Sequence, residues 1–158
     1  MTDFATYHVI KGILNADPAT KQDLGRRFAK HLGLTPGPRG SDDGIDGVLF
    51  YNGRKIHFQS KLKGERLDKD EARLYYSDLK YHKVDVSIML AGIGYKDTFR
   101  ERLFGHDGIS NVTIHLLTLR DIFEETSSFQ SALKDLPPLE ELGKVAKGSM
   151  AIEFNTNI

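Results

Sequence analysis

Asp46, Gln59 and Lys61 are the side chains whose types and spacing could do chemistry together. Asp46 lies in Gly40-Ser41-Asp42-Asp43-Gly44-Ile45-Asp46-Gly47, and the other two stand in Ile56-His57-Phe58-Gln59-Ser60-Lys61. Asn52-Gly53 separates the apolar runs Val48 to Tyr51 and Ile56 to Leu62. That dipeptide signals a two-residue hairpin turn, because both central positions need positive φ. With Tyr51 opposite Arg54, the register sets Val48 against His57 and Asp46 against Gln59, provided that the ladder runs so far without a bulge. Directly opposed Cβ atoms lie about 5 Å apart, close enough for two oxygen ligands to share one cation. Alternation puts His57, Gln59 and Lys61 on the face Asp46 shares, the exposed face of the hairpin, and turns Ile56 and Phe58 toward the core.

The chemistry these types suit is that of a hard divalent cation. Mg²⁺ takes oxygen ligands in near-octahedral geometry and keeps several waters, so a few protein oxygens and a bound phosphate complete its shell. Asp46 offers a carboxylate, Gln59 an amide oxygen and Ser60 a backbone carbonyl. Lys61 would orient or deprotonate an attacking water and offset charge developing on a phosphate. Mn²⁺ should substitute for Mg²⁺.

Gly44-Ile45-Asp46-Gly47 followed by Gln59-Ser60-Lys61 resembles the Mrr-like branch of the PD-(D/E)XK nuclease superfamily. That branch has a glycine-rich approach, a GID-type aspartate and a Q-x-K or E-x-K strand after a hairpin. The resemblance spans roughly residues 20 to 123. Glutamine at 59 departs from the superfamily's usual glutamate and agrees with this branch. The resemblance implies a restriction-endonuclease-like α/β core, a mixed β-sheet with an antiparallel hairpin flanked by helices. It also implies an auxiliary acid on a helix before the glycine loop, and Asp23, in Asp23-Leu24-Gly25, is the candidate. The function implied is a Mg²⁺-dependent endodeoxyribonuclease of restriction or homing type. A junction or repair nuclease of the same superfamily is the alternative within that chemistry, and a non-catalytic DNA-binding subunit of the same fold is the alternative outside it.

The whole chain is electrically neutral, with 22 basic and 22 acidic residues among 158. Affinity for DNA rests on phosphate neutralisation, so the distribution of charge matters more than its sum. Arg54, Lys55, Lys61, Lys63 and Arg66 stand against Glu65 alone, whereas six acids between Asp121 and Glu141 stand against Lys134. This asymmetry predicts a basic cleft around the hairpin and an acidic outer surface. Arg26, Arg27, Arg39, His57, Lys63 and Arg66 are the candidate DNA contacts. A single site cuts one strand, so double-strand cleavage predicts a homodimer or higher homo-oligomer.

The absence of cysteine excludes disulfides and thiolate metal sites. No apolar run approaches the length of a membrane span, and Met1-Thr2-Asp3-Phe4 has no basic leader, so the expectation is a cytoplasmic protein with no membrane partner. The histidines include no metalloprotease pair, and Asp42, Asp43 and Asp46 lack the alternation and closing glutamate of a calcium loop.

The elements that must position these residues follow from periodicity. Phe4, Tyr7, Ile10 and Leu14 predict a helix over 4–14, and Leu24, Phe28 and Leu32 another over 21–32. Thr35 to Gly44 reads as a Pro/Gly loop. Asp68 to Lys80 reads as a helix, with Tyr75 or Tyr76 in its core-facing stripe, and Val84 to Ala91 as a buried strand. Lys96 to Phe104 and Leu119 to Glu124 read as helices flanking a strand at Val112 to Leu117. The alternation after position 68 implies parallel strands joined by crossovers. Pro137-Pro138 then divides a core domain, 1–136, from a tail, 137–158, which would pad the core or contact a second subunit; Leu139 to Val145 reads there as a weak helix and Ser149 to Phe154 as a strand.

Overall fold

Helix starts are set by side chains that replace missing backbone partners. In the computed structural model, which describes residues 4–37 and 45–138, α1 is Phe4–Leu14 and α2 is Pro18–His31. The second begins ahead of the expected Lys21 because Asp17 caps it: its carboxylate accepts the Thr20 N–H at 2.7 Å, and Pro18 has no N–H to satisfy. Thr35–Pro36 is not plain loop but a short strand, β1, paired antiparallel with β2, Gly47–Tyr51. The turn to β3, Arg54–Lys61, has Asn52 at φ 53° and Gly53 at φ 73°, as the two-residue hairpin requires. Tyr51 pairs with Arg54 and Val48 with His57, the register expected from the turn.

α3, Lys69–Tyr81, opens on a reciprocal cap in which Asp68 accepts the Glu71 N–H and Glu71 accepts the Asp68 N–H. β4, Val86–Ala91, pairs parallel with β3; after α4, Asp97–Phe104, and a 3₁₀ turn at Ile109–Asn111, β5, Thr113–Thr118, pairs parallel with β4. α5, Leu119–Glu124, and α6, Ser127–Leu133, complete the described chain. The result is a mixed five-stranded sheet in the order β1-β2-β3-β4-β5. Among the described residues no helix is long and apolar enough to cross a membrane.

Both faces of the sheet are covered. Val86, Ile88 and Leu90 of β4 join Ile56 and Phe58 of β3 in a core with Phe28 of α2 and Phe129 of α6. Met89 and Ala91 face the other way, into a second core with Tyr75 of α3 and Phe99 of α4. Period-two alternation in a strand buried on both sides gives two separate cores. This corrects the expectation of an exposed hairpin face. β3 lies between an antiparallel and a parallel neighbour, so the face carrying His57 and Gln59 packs under α3, and the two are only 1% and 5% exposed. The tail proposed over 139–158 lies outside the described residues.

Candidate functional site

Asp46 stands where the hairpin ladder is interrupted. Gly47 is the partner of Phe58, yet the Asp46 N–H also donates to the Phe58 carbonyl at 2.9 Å, so two residues of one strand address one of the other. Such a bulge re-aims a side chain. Asp46 therefore does not sit opposite Gln59 on a shared face. Its Oδ2 accepts the Ser60 N–H at 2.7 Å and the Ser60 hydroxyl at 3.1 Å, on the side of the sheet covered by α2. Gly25 of α2 makes the close approach possible, since a Cβ there would lie 2.2 Å from Ser60 Oγ and 3.4 Å from the Asp46 carboxyl carbon. Burial pushes the Asp46 carboxyl above the usual aspartate range, against the bonds from Ser60 and the nearby charges of Lys61 and Arg26.

Gln59 points to the opposite face, under α3. Its Nε2 lies 3.4 Å from Asp78 Oδ2, and its buried Oε1 has no hydrogen-bond partner among the described residues. An orphaned buried amide oxygen costs on the order of 1–3 kcal/mol, so it calls for a ligand or a reason. Asp46, Gln59, Ser60 and Lys61 meet despite their different faces, because all four line one cleft of about 490 Å³ at the end of β3. α2 contributes Lys21 and Gln22 to its wall, and α3 contributes Glu71 and Asp78. Lys61 is exposed, and its charge acts on Asp46.

Asp23 does not reach this cleft. Pro18, Lys21 and Gln22 form the helical face that lines it. Asp23, a further 100° round the helix, lies instead 3.7 Å from Arg26 and 3.6 Å from Arg27. Gln22, one position before Asp23, is the neighbouring α2 residue that lines the cleft.

The candidate phosphate contacts fare unequally. His57 is buried, with Nδ1 2.9 Å from Ser87 Oγ, which also bonds the Tyr75 hydroxyl, so it is part of the packing under α3 and not a surface donor. Lys63 pairs with Glu71 at 2.9 Å, and Arg26 donates to the Gly37 carbonyl at 2.7 Å. Arg66 is exposed, and Arg39 lies outside the described residues. The expected concentration of basic charge is spread out: Arg54 bonds Asp135 and Lys55 bonds the His82 carbonyl at the far end of β3, roughly 20 Å from Lys61. Tyr75 is core, as periodicity suggested, whereas Tyr76 stacks on His106 at 3.7 Å.

Among the described residues no three His, Cys, Asp or Glu side chains cluster closely enough to hold a metal alone. Of the three carboxylates that line the cleft, Glu71 pairs with Lys63 and Asp78 faces Gln59 Nε2, which leaves Asp46 and the Gln59 amide oxygen as the donors for a cation. That set fits Mg²⁺, which binds through one or two carboxylates with waters and substrate phosphate, better than it fits Zn²⁺. Compared with known proteins, the chain matches no family model and no curated protein.

Proposed function

We propose that this chain is a Mg²⁺-dependent endodeoxyribonuclease that hydrolyses phosphodiester bonds, with a core of the restriction-endonuclease kind. One observation carries the reading: the Asp46 carboxylate, the exposed Lys61 and a Gln59 Oε1 that has no hydrogen-bond partner among the described residues share one cleft at the end of β3. The GID and Q-x-K spacing of the same residues supports it independently. Asp46 and Gln59, with the Ser60 carbonyl, would hold the cation, which would neutralise charge building on the phosphoryl oxygens. Ser60 keeps Asp46 oriented through two bonds to Oδ2. Lys61 reaches the cleft mouth, where its ammonium contacts a phosphate oxygen and orients the attacking water. The water oxygen bonds to phosphorus as one P–O ester bond breaks, leaving a phosphate end and a hydroxyl end. Two copies acting on opposite strands would cut a duplex, and a cytoplasmic location belongs to the same reading.

The test is cleavage of supercoiled plasmid, genomic DNA and a four-way junction with Mg²⁺, Mn²⁺ or EDTA. Metal-dependent cutting is expected, lost in Lys61→Ala with DNA binding largely preserved. A Lys61→Ala protein that cuts normally would refute the assigned role; loss of a generic phosphate contact would only weaken binding and lower its salt slope by about one unit. Binding without cutting on all three substrates would favour a non-catalytic DNA-binding subunit.

A further inference from the structure

We infer that Asp78 is the positioning residue that makes glutamine at 59 a cation ligand, and that it supplies the negative charge glutamine lacks. This rests on the nuclease reading of the cleft. Glu71, Leu74, Tyr75 and Asp78 of α3 recur at helical spacing along the cleft wall, so Asp78 faces the site from the helix opposite α2. A primary amide can turn either its oxygen or its NH₂ toward a neighbour, and only the neighbour's chemistry decides which. Beside Asp78 Oδ2, 3.4 Å away, the choice is set by the sign of charge: NH₂ faces the carboxylate, and Oε1 is left buried with no partner among the described residues. At that length the contact works through electrostatics more than through a short hydrogen bond.

The same contact accounts for the absence of a glutamate at this position. Two carboxylates in that place would repel, and one would take up a proton. The cleft therefore keeps its second acid one amide removed from the cation. Asp46 bonds from one face of the sheet, while Asp78 acts through Gln59 from the other.

A charge-swap cycle tests this. Mn²⁺ affinity, measured by calorimetry without DNA, is compared in wild type, Asp46→Asn, Asp78→Asn and the double variant Gln59→Glu with Asp78→Asn, with circular dichroism as a check of folding. Asp78→Asn should weaken Mn²⁺ roughly tenfold or more, because the new side chain can donate to Oε1 and turn it away from the cation. The double variant should recover wild-type affinity, since the amide introduced at position 78 then donates to a carboxylate at position 59 that ligates directly. A merely structural Asp78 would show no such rescue. Saturable binding lost in Asp46→Asn but unchanged in Asp78→Asn, or a double variant no better than Asp78→Asn, would overturn the inference and leave the nuclease reading intact. Absence of saturable binding in the wild type would overturn both.

Discussion

Replacing Asp46 by asparagine separates the cost of the site from its use. Burial raises the Asp46 carboxyl, so at neutral pH an ionised Asp46 is held in a place that favours its neutral form. Asparagine is nearly isosteric, carries no charge, and its Oδ1 still accepts the Ser60 N–H that Asp46 receives at 2.7 Å. Without divalent cation, Asp46→Asn should therefore be at least as thermally stable as wild type. With Mg²⁺ the order reverses. For a site with a Kd of about 1 mM, about 10 mM Mg²⁺ stabilises the folded state by RT ln 11, about 1.4 kcal/mol. In a domain of this size that is a rise of roughly 3–5 °C in Tm. Wild type should gain this shift and Asp46→Asn should not, which differential scanning calorimetry with and without EDTA reads directly. An Asp46→Asn protein that melts well below wild type in EDTA, or that gains the same shift with Mg²⁺, would refute the reasoning.

Two further outcomes follow from neighbouring contacts. Gly25→Ala adds about 1 kcal/mol of helix propensity. The new methyl meets Ser60 Oγ at 2.2 Å, so the hydroxyl must rotate off Asp46. Stability should change little while Mg²⁺-dependent cutting falls several-fold; unchanged cleavage kinetics would show that the Ser60 hydroxyl does not orient Asp46. Asp135 contributes a pH dependence of its own. Desolvation pushes its carboxyl up, but His115 at 2.6 Å and Arg54 at 3.1 Å outweigh it and hold the carboxyl below the usual range. Its folded value lies below its unfolded one, so the stabilisation is present above about pH 4 and is lost as pH falls through the folded value. The Tm gap between wild type and Asp135→Asn should close on acidification below about pH 4, and a gap that persists through that range would contradict the assignment.

The hairpin was legible because its determinants are local. Asn52-Gly53 dictates the turn, the turn dictates the register from Tyr51 to Val48, and β4 announces itself by a continuous apolar run. The helix expected over Leu119 to Glu124 has those bounds, with Thr118 and Asp121 in a reciprocal cap at its start. α6 was missed: Ser127, Ser128 and Ser131 make a seven-residue segment look like loop, although Thr126 caps it on the Phe129 N–H. The bulge at Asp46 is not legible in the sequence, nor is the close approach of α2, where Gly25 leaves room for Ser60 and Asp46. The buried state of His57 and Gln59 was implicit. A strand with a parallel neighbour needs a crossover helix, and that helix must cover one face.

The site's location follows from the same alternation that defeated the shared-face expectation. Adjacent residues of a strand point to opposite faces, so Ser60, holding Asp46 against α2, and Gln59, held by Asp78 of α3, are separated by the thickness of the sheet along most of its length. They can address one point only where the sheet stops. β3 ends at Lys61, Asp46 marks the bulged end of its ladder with β2, and the cleft opens there between α2 and α3. In open α/β sheets such crevices form outside the carboxyl ends of the strands. Each helix then supplies what a flat hairpin face cannot: α2 a glycine that admits the Asp46–Ser60 contact, and α3 a carboxylate 3.4 Å from the Gln59 Nε2. The few motif residues thus meet in one cleft only because two helices, unrelated in sequence to the motif, close on the end of one strand.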